Sequence, residues 1–161
     1  MEEAPDIQPD TTPLPPLLDD AKRLGFAELH RRLEAEGHPK IRNAHGCVFR
    51  YVDAEGSRLT ELAALSGLTK QGVGEFVDEL ERLGYVERVP DPVDGRAKLI
   101  RLTERGADAR QAAVRIFDEI ENRWAERFGE ERVAMLREVL EEIVAAESAD
   151  AADDRDAVPA V

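Results

Sequence analysis

The stretch from Leu59 to Gly106, LTELAALSGLTKQGVGEFVDELERLGYVERVPDPVDGRAKLIRLTERG, decides the fold of this chain. Thr60 is suited to cap a short helix, ELAALS, which Gly67 would end. Thr69 is suited to cap a longer helix with an apolar stripe formed by Val73, Phe76, Val77, Leu80 and Leu83. Two helices joined by a tight glycine-containing turn, the second of them amphipathic, indicate a helix-turn-helix.

Two short apolar runs follow, and the segment between them indicates a hairpin. Asp94-Gly95 favours a tight turn, because Asp and Gly tolerate a positive φ. Pro90 and Pro92 cannot donate to a strand ladder, so the hairpin should lie at the edge of the fold. Arg96 near the tip makes this hairpin suited to contact a polyanion. The helix pair and the hairpin together predict a winged helix over residues 57–103.

The flanking segments are helical by pattern. Apolar residues recur at helical spacing from residue 17 to 36, and Ile41 to Val52 predicts a short second helix. Thr103 can cap a long helix that reaches Phe128, and a last helix follows Gly129 as far as residue 147. These helices carry more apolar surface than one winged helix can cover, so a second copy of the chain is expected to cover the rest. The predicted fold class is mainly α with a small β-wing: a winged helix-turn-helix flanked by dimerisation helices at 17–36 and 104–147.

Length and composition are those of one soluble domain, 17–147. The chain has 161 residues, of which 42% are hydrophobic and 35% are charged. No apolar run approaches the roughly 18 residues that cross a bilayer, so no membrane partner is expected. The start of the chain lacks a secretory signal. A lone cysteine, Cys47, excludes an internal disulfide and fits a cytoplasmic location.

The net charge of −13 is concentrated at the two ends. Residues 1–20 carry −6 and residues 147–161 carry −4, which leaves −3 for the rest of the chain. We expect residues 1–16 to be a disordered arm, acidic and rich in proline, and 148–161 to be a disordered acidic tail. A local basic surface remains compatible with this distribution.

The segment from Leu59 to Gly106 resembles the winged-helix core of the MarR (multiple-antibiotic-resistance regulator) family of bacterial transcription factors, and DPVDGRAKLIRLTERG carries the most specific likeness. The resemblance implies a homodimer in which the first and last helices interlock. It also implies that each subunit places one winged helix on double-stranded DNA. A small aromatic or phenolic effector that binds between the dimerisation and DNA-binding parts would release the DNA.

The resemblance places the wing-tip arginine of the family at Arg96, which would enter the minor groove. The start of the second helix offers free N–H groups to phosphates, and glutamine can read adenine. Thr69 could contact DNA or serve only as a cap. Glu75 could accept from a cytosine amine or repel phosphate. The predicted DNA-binding residues are Arg96, Lys70, Gln71, Thr69, Gly72, Gly74, Lys98 and Arg58.

Gly72 and Gly74 each weaken a helix by about 1 kcal/mol relative to alanine. They would be tolerated if the backbone lies close to the major groove, or if the helix orders only on DNA. The Arg82 and Arg88 side chains are expected to form surface ion pairs with neighbouring carboxylates.

The remaining candidates concern small molecules. Phe26, His30, Phe49 and Tyr51 could line an effector cavity or could be ordinary core. Cys47 is expected to fill apolar space rather than sense oxidants. The histidines lack metal-ligand spacing, so no metal and no cofactor is predicted. No phosphate loop or nucleophile–base pair indicates an enzyme.

The sequence thus predicts a regulator, most simply a repressor, that binds a pseudo-palindromic operator as a homodimer. The alternative is a winged-helix module that binds another protein, with weak or no DNA binding. Glu75 and the acidic balance favour the alternative, and the cationic wing opposes it.

Overall fold

The computed structural model describes residues 12–156, with side chains through residue 148. The chain divides into two compact units, and the boundary between them along the sequence falls between Phe117 and Asp118. The first unit holds helices and a small antiparallel sheet, and the second is helical. This architecture confirms the predicted fold class.

The helices lie close to the predicted segments. Helix α1 spans Leu14–Ala35, a 3₁₀ turn spans Asn43–His45 and α2 spans Gly46–Tyr51. Helices α3 and α4, the predicted helix-turn-helix pair, span Leu59–Ser66 and Lys70–Arg82. Helix α5 covers Glu104–Phe128 and α6 covers Glu130–Asp156.

The sheet has three strands in the order β1-β3-β2. Strands β2 (Val86–Pro90) and β3 (Lys98–Leu102) form the antiparallel hairpin, with Val86 opposite Leu102 and Pro90 opposite Lys98. Strand β2 lies at an edge, as its proline requires. The short strand β1, Ser57–Arg58, pairs with β3 on the other side and was not predicted, because two residues carry no alternation pattern.

The core of the first unit lies where α2, α3 and α4 meet the sheet. Val73, Val77 and Leu80 of α4 are fully buried, which confirms the predicted stripe. Tyr85, at the start of the hairpin, is also fully buried, and its hydroxyl donates to the Pro39 carbonyl at 3.1 Å. Burial of this apolar stripe therefore leaves the opposite face of α4 exposed to solvent.

Helix α5 begins against the hairpin at very close range. A Cβ added to Gly106 would lie 1.9 Å from the carbonyl oxygen of Tyr85, a distance that no real side chain tolerates. The Thr103 hydroxyl accepts from the Gly106 N–H at 3.1 Å, which confirms the predicted cap, and it also donates to the Gly84 carbonyl at 2.6 Å. The hairpin and α5 are thus joined through backbone contacts.

Three boundaries differ from prediction. Helix α3 begins at Leu59, so Thr60 lies within it and does not cap it; instead, the Arg58 N–H donates to the Glu61 carboxylate at 2.7 Å. Helix α1 begins inside the segment expected to be disordered, because prolines suit the first turn of a helix. Helix α6 continues to Asp156, past the predicted end at 147, because alanine-rich sequence has high helix propensity despite its acidic charge. Residues 1–11 and 157–161 of the expected arm and tail lie outside the described residues.

Candidate nucleic-acid interface and cavity

The first turn of α4 presents polar side chains to the surface. Thr69 caps the helix, and its hydroxyl accepts from the Gly72 N–H at 3.1 Å, as predicted. Lys70 and Gln71 follow and are exposed. The free N–H groups and positive dipole end of such a helix favour an anion. This turn therefore offers both charge and hydrogen-bond donors to a phosphate.

Glu75 is a hydrogen-bond partner of Gln71, the residue predicted to read a base. The Gln71 amide lies 3.4 Å from the Glu75 carboxylate one turn further along α4, as a donor to it. Both side chains are exposed, so this weak bond can be exchanged for another partner at little cost. Glu75 thus serves as an internal partner for Gln71 in the free chain.

The two glycines of α4 differ in their surroundings. A Cβ at Gly72 would lie 3.2 Å from the Thr69 hydroxyl oxygen, which is tighter than ordinary contact. A Cβ at Gly74 would lie 3.7 Å from the Leu59 side chain, an ordinary van der Waals distance. Helix α4 is continuous through both positions. The cap therefore supplies a reason for Gly72, whereas packing supplies none for Gly74.

The wing tip is a seven-residue loop, 91–97, rather than a two-residue turn. The Ala97 N–H donates to the Asp94 carbonyl at 2.8 Å, which places Gly95 and Arg96 at the centre of a β-turn. The predicted turn at Asp94-Gly95 is thus present, but Gly95 does not have the positive φ that was expected for it. The Asp94 carboxylate accepts from the Arg96 N–H at 3.2 Å and so shapes the turn. Arg96 is exposed at this tip.

Asp91 organises the base of the wing and was missed by the sequence interpretation. Its carboxylate is only 6% exposed and accepts from the N–H groups of Val93 and Asp94 at 2.8 and 3.3 Å. These backbone donors, together with Arg58, lower the pKa of Asp91. A buried carboxylate requires such partners. An Asp followed by Pro at a strand end is the signal that could have revealed it.

Arg58 is held by Asp91 instead of being free for phosphate. Its Nε and Nη2 atoms donate to one Asp91 oxygen at 2.8 and 2.5 Å. The pair links the start of α3 to the wing across 33 positions of sequence. Arg58 therefore positions the wing, and the expectation that it approaches phosphate loses its basis in the free chain.

A cleft of about 350 Å³ separates the start of α4 from the wing. Four cationic side chains line it and no carboxylate does: Arg58, Lys70, Arg88 and Lys98. Arg88 pairs with Asp78 and Glu81, as predicted, whereas Arg82 forms no ion pair with any residue from 12 to 148. Lys70, Lys98 and the wing-tip Arg96 make no ion pair with any residue from 12 to 148. Lys70 and Lys98 line the cleft and Arg96 is exposed at the wing tip, so all three are available to an anion.

A second, larger cavity of about 580 Å³ lies in the first unit, among α1, α2 and α5. All four residues proposed for an effector pocket line it: Phe26, His30, Phe49 and Tyr51. Phe26 packs edge-on against Phe117, with ring centroids 5.5 Å apart. Burial lowers the pKa of His30, so that side chain is neutral near pH 7. The cavity is therefore mainly aromatic and apolar.

Cys47 also lines this cavity, half-buried, and its thiol lies 3.1 Å from the Ala44 carbonyl as a donor. Burial raises the pKa of the thiol, which disfavours the reactive thiolate. No group of three possible metal ligands occurs within the described part of the chain. No helix in residues 12–156 is long and apolar enough to cross a membrane.

A buried histidine connects the cavity wall to α4. His45 is fully buried, its Nδ1 accepts from the Arg42 N–H at 3.1 Å, and its Nε2 lies 3.1 Å from the Glu79 carboxylate. Burial lowers the pKa of His45. Arg42 also forms an ion pair with Glu79. The sequence interpretation considered His45 only as a metal ligand or catalyst and missed this cluster.

The chain has relatives among known proteins. A family model described as MarR family matches residues 42–97. An uncharacterized HTH-type transcriptional regulator, YdcH of Bacillus subtilis (strain 168), is 36% identical over 74 residues, which is 45% of this chain and 50% of that protein. The matching segment thus spans about half the length of this curated relative.

Solved structures extend the likeness over most of the chain. CouR from Rhodococcus jostii RHA1, bound to p-coumaroyl-CoA, is 31% identical and has a TM-score of 0.61, covering 79% of this chain and 88% of that one. A MarR-family transcriptional regulator from Rhodococcus sp. RHA1 is 29% identical with a TM-score of 0.62, covering 83% of this chain and 97% of that one. A structure of the repressor CouR on a 23-mer DNA duplex, at 24% identity and a TM-score of 0.67 over 82% of this chain and 92% of that one, shows the shared fold alone.

The fold and the site together define a winged helix-turn-helix protein with a cationic cleft between the start of α4 and the wing. The chain belongs to the MarR family of transcriptional regulators.

Proposed function

We propose that this chain is a transcriptional repressor that binds a pseudo-palindromic DNA operator as a homodimer. Helix α4 of each subunit enters a major groove and the wing reaches the adjacent minor groove, with half-sites about one helical turn apart. The cationic cleft carries this proposal: of the four basic residues that line it, Lys70 and Lys98 form no ion pair with any residue from 12 to 148, although the chain as a whole is strongly acidic. The fold is shared with the repressor CouR, which has been solved on a 23-mer DNA duplex.

The distribution of charge favours DNA over a protein partner for this surface. A module that docks another protein would not require unpaired cations at both the helix start and the wing tip. Lys70, Lys98 and Arg96 have that placement. The proposed role is regulatory and non-catalytic, in the cytoplasm, where operator DNA is found.

Dimerisation is proposed through α1 and α6. Each of these two helices carries exposed apolar side chains. On α1 they are Leu14, Leu17, Leu18 and Leu24, and on α6 they are Met135, Leu136, Val139, Ile143 and Val144. Contiguous exposed apolar surface of this kind marks an interface. Two identical subunits then present two winged helices, which matches the symmetry of a palindromic site.

The cavity of about 580 Å³ is proposed to hold a small effector. Its volume lies in the range of small-molecule sites, and most of its lining is apolar, including the rings of Phe26, Phe49, Tyr51 and Phe117. CouR, which is 31% identical to this chain, binds p-coumaroyl-CoA, and this supports an aromatic ligand for the present chain.

The test is an operator-binding measurement on an Arg96 variant. An operator is first selected from random duplexes, and affinity is then measured by fluorescence anisotropy over a range of salt concentrations. We expect Arg96→Ala to weaken binding by about tenfold, or ~1.4 kcal/mol. The slope of log affinity against log salt should fall in magnitude by about 1, since one DNA-proximal charge is lost.

Arg115→Ala is the matched control, because this substitution removes the same charge at a position on α5 that does not line the cleft. It should leave both affinity and slope close to wild type. Equal effects of the two variants would show that Arg96 acts only through net charge, and unchanged affinity in Arg96→Ala would refute the role of the wing.

A further inference from the structure

Helix α4 carries a carboxylate on the face that is proposed to meet DNA. Gln71 and Glu75 lie one helical turn apart, so their side chains share one face of the helix. Both are exposed, whereas Val73 and Val77 on the opposite face are fully buried. Glu75 forms no ion pair with any residue from 12 to 148. Phosphates repel such a charge, so its place on this face is favourable only if the DNA donates a hydrogen bond to it.

The two glycines of α4 flank this pair. With about 100° of rotation per residue, Gly72 and Gly74 lie on either side of the line from Gln71 to Glu75. A glycine inside a helix is less favourable than an alanine, yet the space beside Gly74 would admit a methyl group, since the Leu59 side chain is 3.7 Å away. The missing side chains let the helix backbone come close to a surface. Gln71 and Glu75 then project from it towards the floor of a groove.

The hydrogen-bonding groups of this pair distinguish between bases. A carboxylate only accepts hydrogen bonds, and the amine donors of the major groove are N4 of cytosine and N6 of adenine. Adenine also presents the acceptor N7 beside its amine, which would face the second oxygen of Glu75, whereas cytosine presents a donor alone. Guanine and thymine present acceptors. Cytosine is therefore the best match for Glu75, and adenine is the best match for the Gln71 amide, which both donates and accepts.

The contact between the two side chains aligns them in the free chain. The Gln71 amide nitrogen lies 3.4 Å from the Glu75 carboxylate, so a donor already occupies the acceptor that a base amine would use. This bond is long and exposed, so the edges of two bases can replace it at little cost. One turn of helix rises by roughly 6 Å, which is close to two base-pair steps of about 3.4 Å. The two bases should therefore lie within about two base pairs of each other.

We propose that Glu75 is a base-reading residue, which accepts a hydrogen bond from the N4 amine of a cytosine in each half-site while Gln71 reads a nearby adenine. The inference rests on the proposed function, because it assumes that α4 lies in the major groove of an operator. It deepens that function by naming the base that the helix selects. Repulsion between Glu75 and the phosphates weakens binding to all DNA, and the bond to cytosine offsets this loss only at the correct sequence. Glu75 therefore contributes to specificity more than to affinity.

The experiment compares the operators that the full chain selects from random duplexes as wild type, Glu75→Gln and Glu75→Ala. The wild type should select cytosine at one position of each half-site. Glu75→Gln should change that position to adenine, because an amide pairs with both N6 and N7, and Glu75→Ala should lose the preference there. Glu55→Gln is the matched control, since it removes the same charge from an exposed residue outside α4, and it should select the wild-type sequence.

Removal of one amine from the DNA tests the bond directly. The base 2-pyrimidinone is cytosine without its N4 amine, and it replaces the selected cytosine in one half-site. By fluorescence anisotropy, we expect the wild type to bind this duplex about tenfold more weakly than the unmodified operator. Glu75→Ala should bind the two duplexes equally, because it has no carboxylate to lose a partner. An equal loss for both proteins would show that the modification weakens only the duplex, and it would overturn the inference.

Gly74→Ala tests the close approach of the helix backbone. Alanine favours the helix and has room at this position in the free chain, so the variant should resist urea better than wild type. The added methyl should nevertheless weaken operator binding by about tenfold, because it lies beside Glu75 on the surface that enters the groove. A loss of affinity together with a gain in stability cannot come from damage to the fold. Unchanged affinity in this variant would overturn the close approach.

The outcomes separate this inference from the proposed function. A wild-type chain that selects no operator contradicts the proposed function and this inference with it. A chain that selects the same operator as wild type and as Glu75→Ala overturns this inference alone. Higher affinity of Glu75→Ala for every duplex, with no change in sequence preference, would identify Glu75 as a source of repulsion only. A wild-type preference for another base at the position that depends on Glu75 would overturn the assignment of cytosine.

Discussion

At the scale of single residues, the buried polar groups of this chain connect elements that are distant in sequence. Asp91 holds Arg58 and two N–H groups at the base of the wing, and Glu79 holds His45 and Arg42 beneath α4. Asp91 is buried and Glu79 is partly buried, and each carboxylate is satisfied by more than one donor. Charged residues that the sequence alone would place at the surface therefore help to hold the wing and α4 in position.

His45 should make the stability of the protein sensitive to mild acid. In the unfolded chain His45 takes up a proton near its ordinary pKa of 6.5, whereas burial keeps it neutral to lower pH in the folded chain. Below pH 6.5 the unfolded state therefore binds more protons, and the free energy of unfolding falls as pH falls. We expect wild type to lose more stability between pH 7.5 and 5.5 than His45→Gln does, measured by urea denaturation.

His30 requires a control in that measurement, because burial lowers its pKa in the same direction and it interacts with His45. The other groups facing His45 are Glu79, Arg42 and the Phe76 ring. The lowered pKa of Glu79 acts below its ordinary value of 4.5, outside the chosen window. If His30→Gln alone removes the pH dependence, the assignment to His45 is incorrect.

At the scale of elements, the orientation of the hairpin depends on a backbone contact with α5. The Tyr85 carbonyl accepts from the Thr103 N–H at 3.1 Å and lies where a side chain at position 106 would begin. Glycine at this position lets α5 start directly beside β2. The wing is thus aligned from its base, by α5 and by the Arg58–Asp91 pair.

Gly106→Ala should destabilise the fold by about 1–3 kcal/mol, because the added methyl overlaps backbone that has no free direction of movement. Gly95→Ala is the matched control, since the space around Gly95 is open and its φ is not positive. It should change stability by no more than about 0.5 kcal/mol. Urea denaturation of both variants provides the comparison. Similar stability of the two variants would show that α5 can shift away from β2.

At the scale of the whole molecule, the distribution of charge and of apolar surface points to assembly and to a restricted binding face. The net charge of −13 repels DNA in general, whereas Lys70 and Lys98 in the cleft and Arg96 at the wing tip are cations that pair with no carboxylate in residues 12–148. Non-specific DNA binding should consequently be weak, and the operator affinity should depend on the few contacts made by α4 and the wing.

The proposed dimer can be tested on α6. Ile143→Asp places a charge on the exposed apolar part of that helix and should raise the dimer dissociation constant by at least about tenfold, or ~1.4 kcal/mol. Val93→Asp makes the same chemical change on the wing, where the side chain is 92% exposed, and should leave the dimer intact. Sedimentation equilibrium measures both. A wild-type chain that is monomeric at micromolar concentration would contradict the dimer.

The local pattern of the sequence was sufficient for the helices, the cap at Thr69, the buried stripe of α4 and the edge hairpin, because these depend on residues within a few positions of one another. It also indicated the four aromatic and histidine residues that line the cavity. Only the tertiary structure decided that Arg58 serves Asp91, that Glu79 holds Arg42 and His45, and that Gly106 meets Tyr85. These contacts join residues 20 or more positions apart, and no local periodicity encodes which buried charge meets which partner.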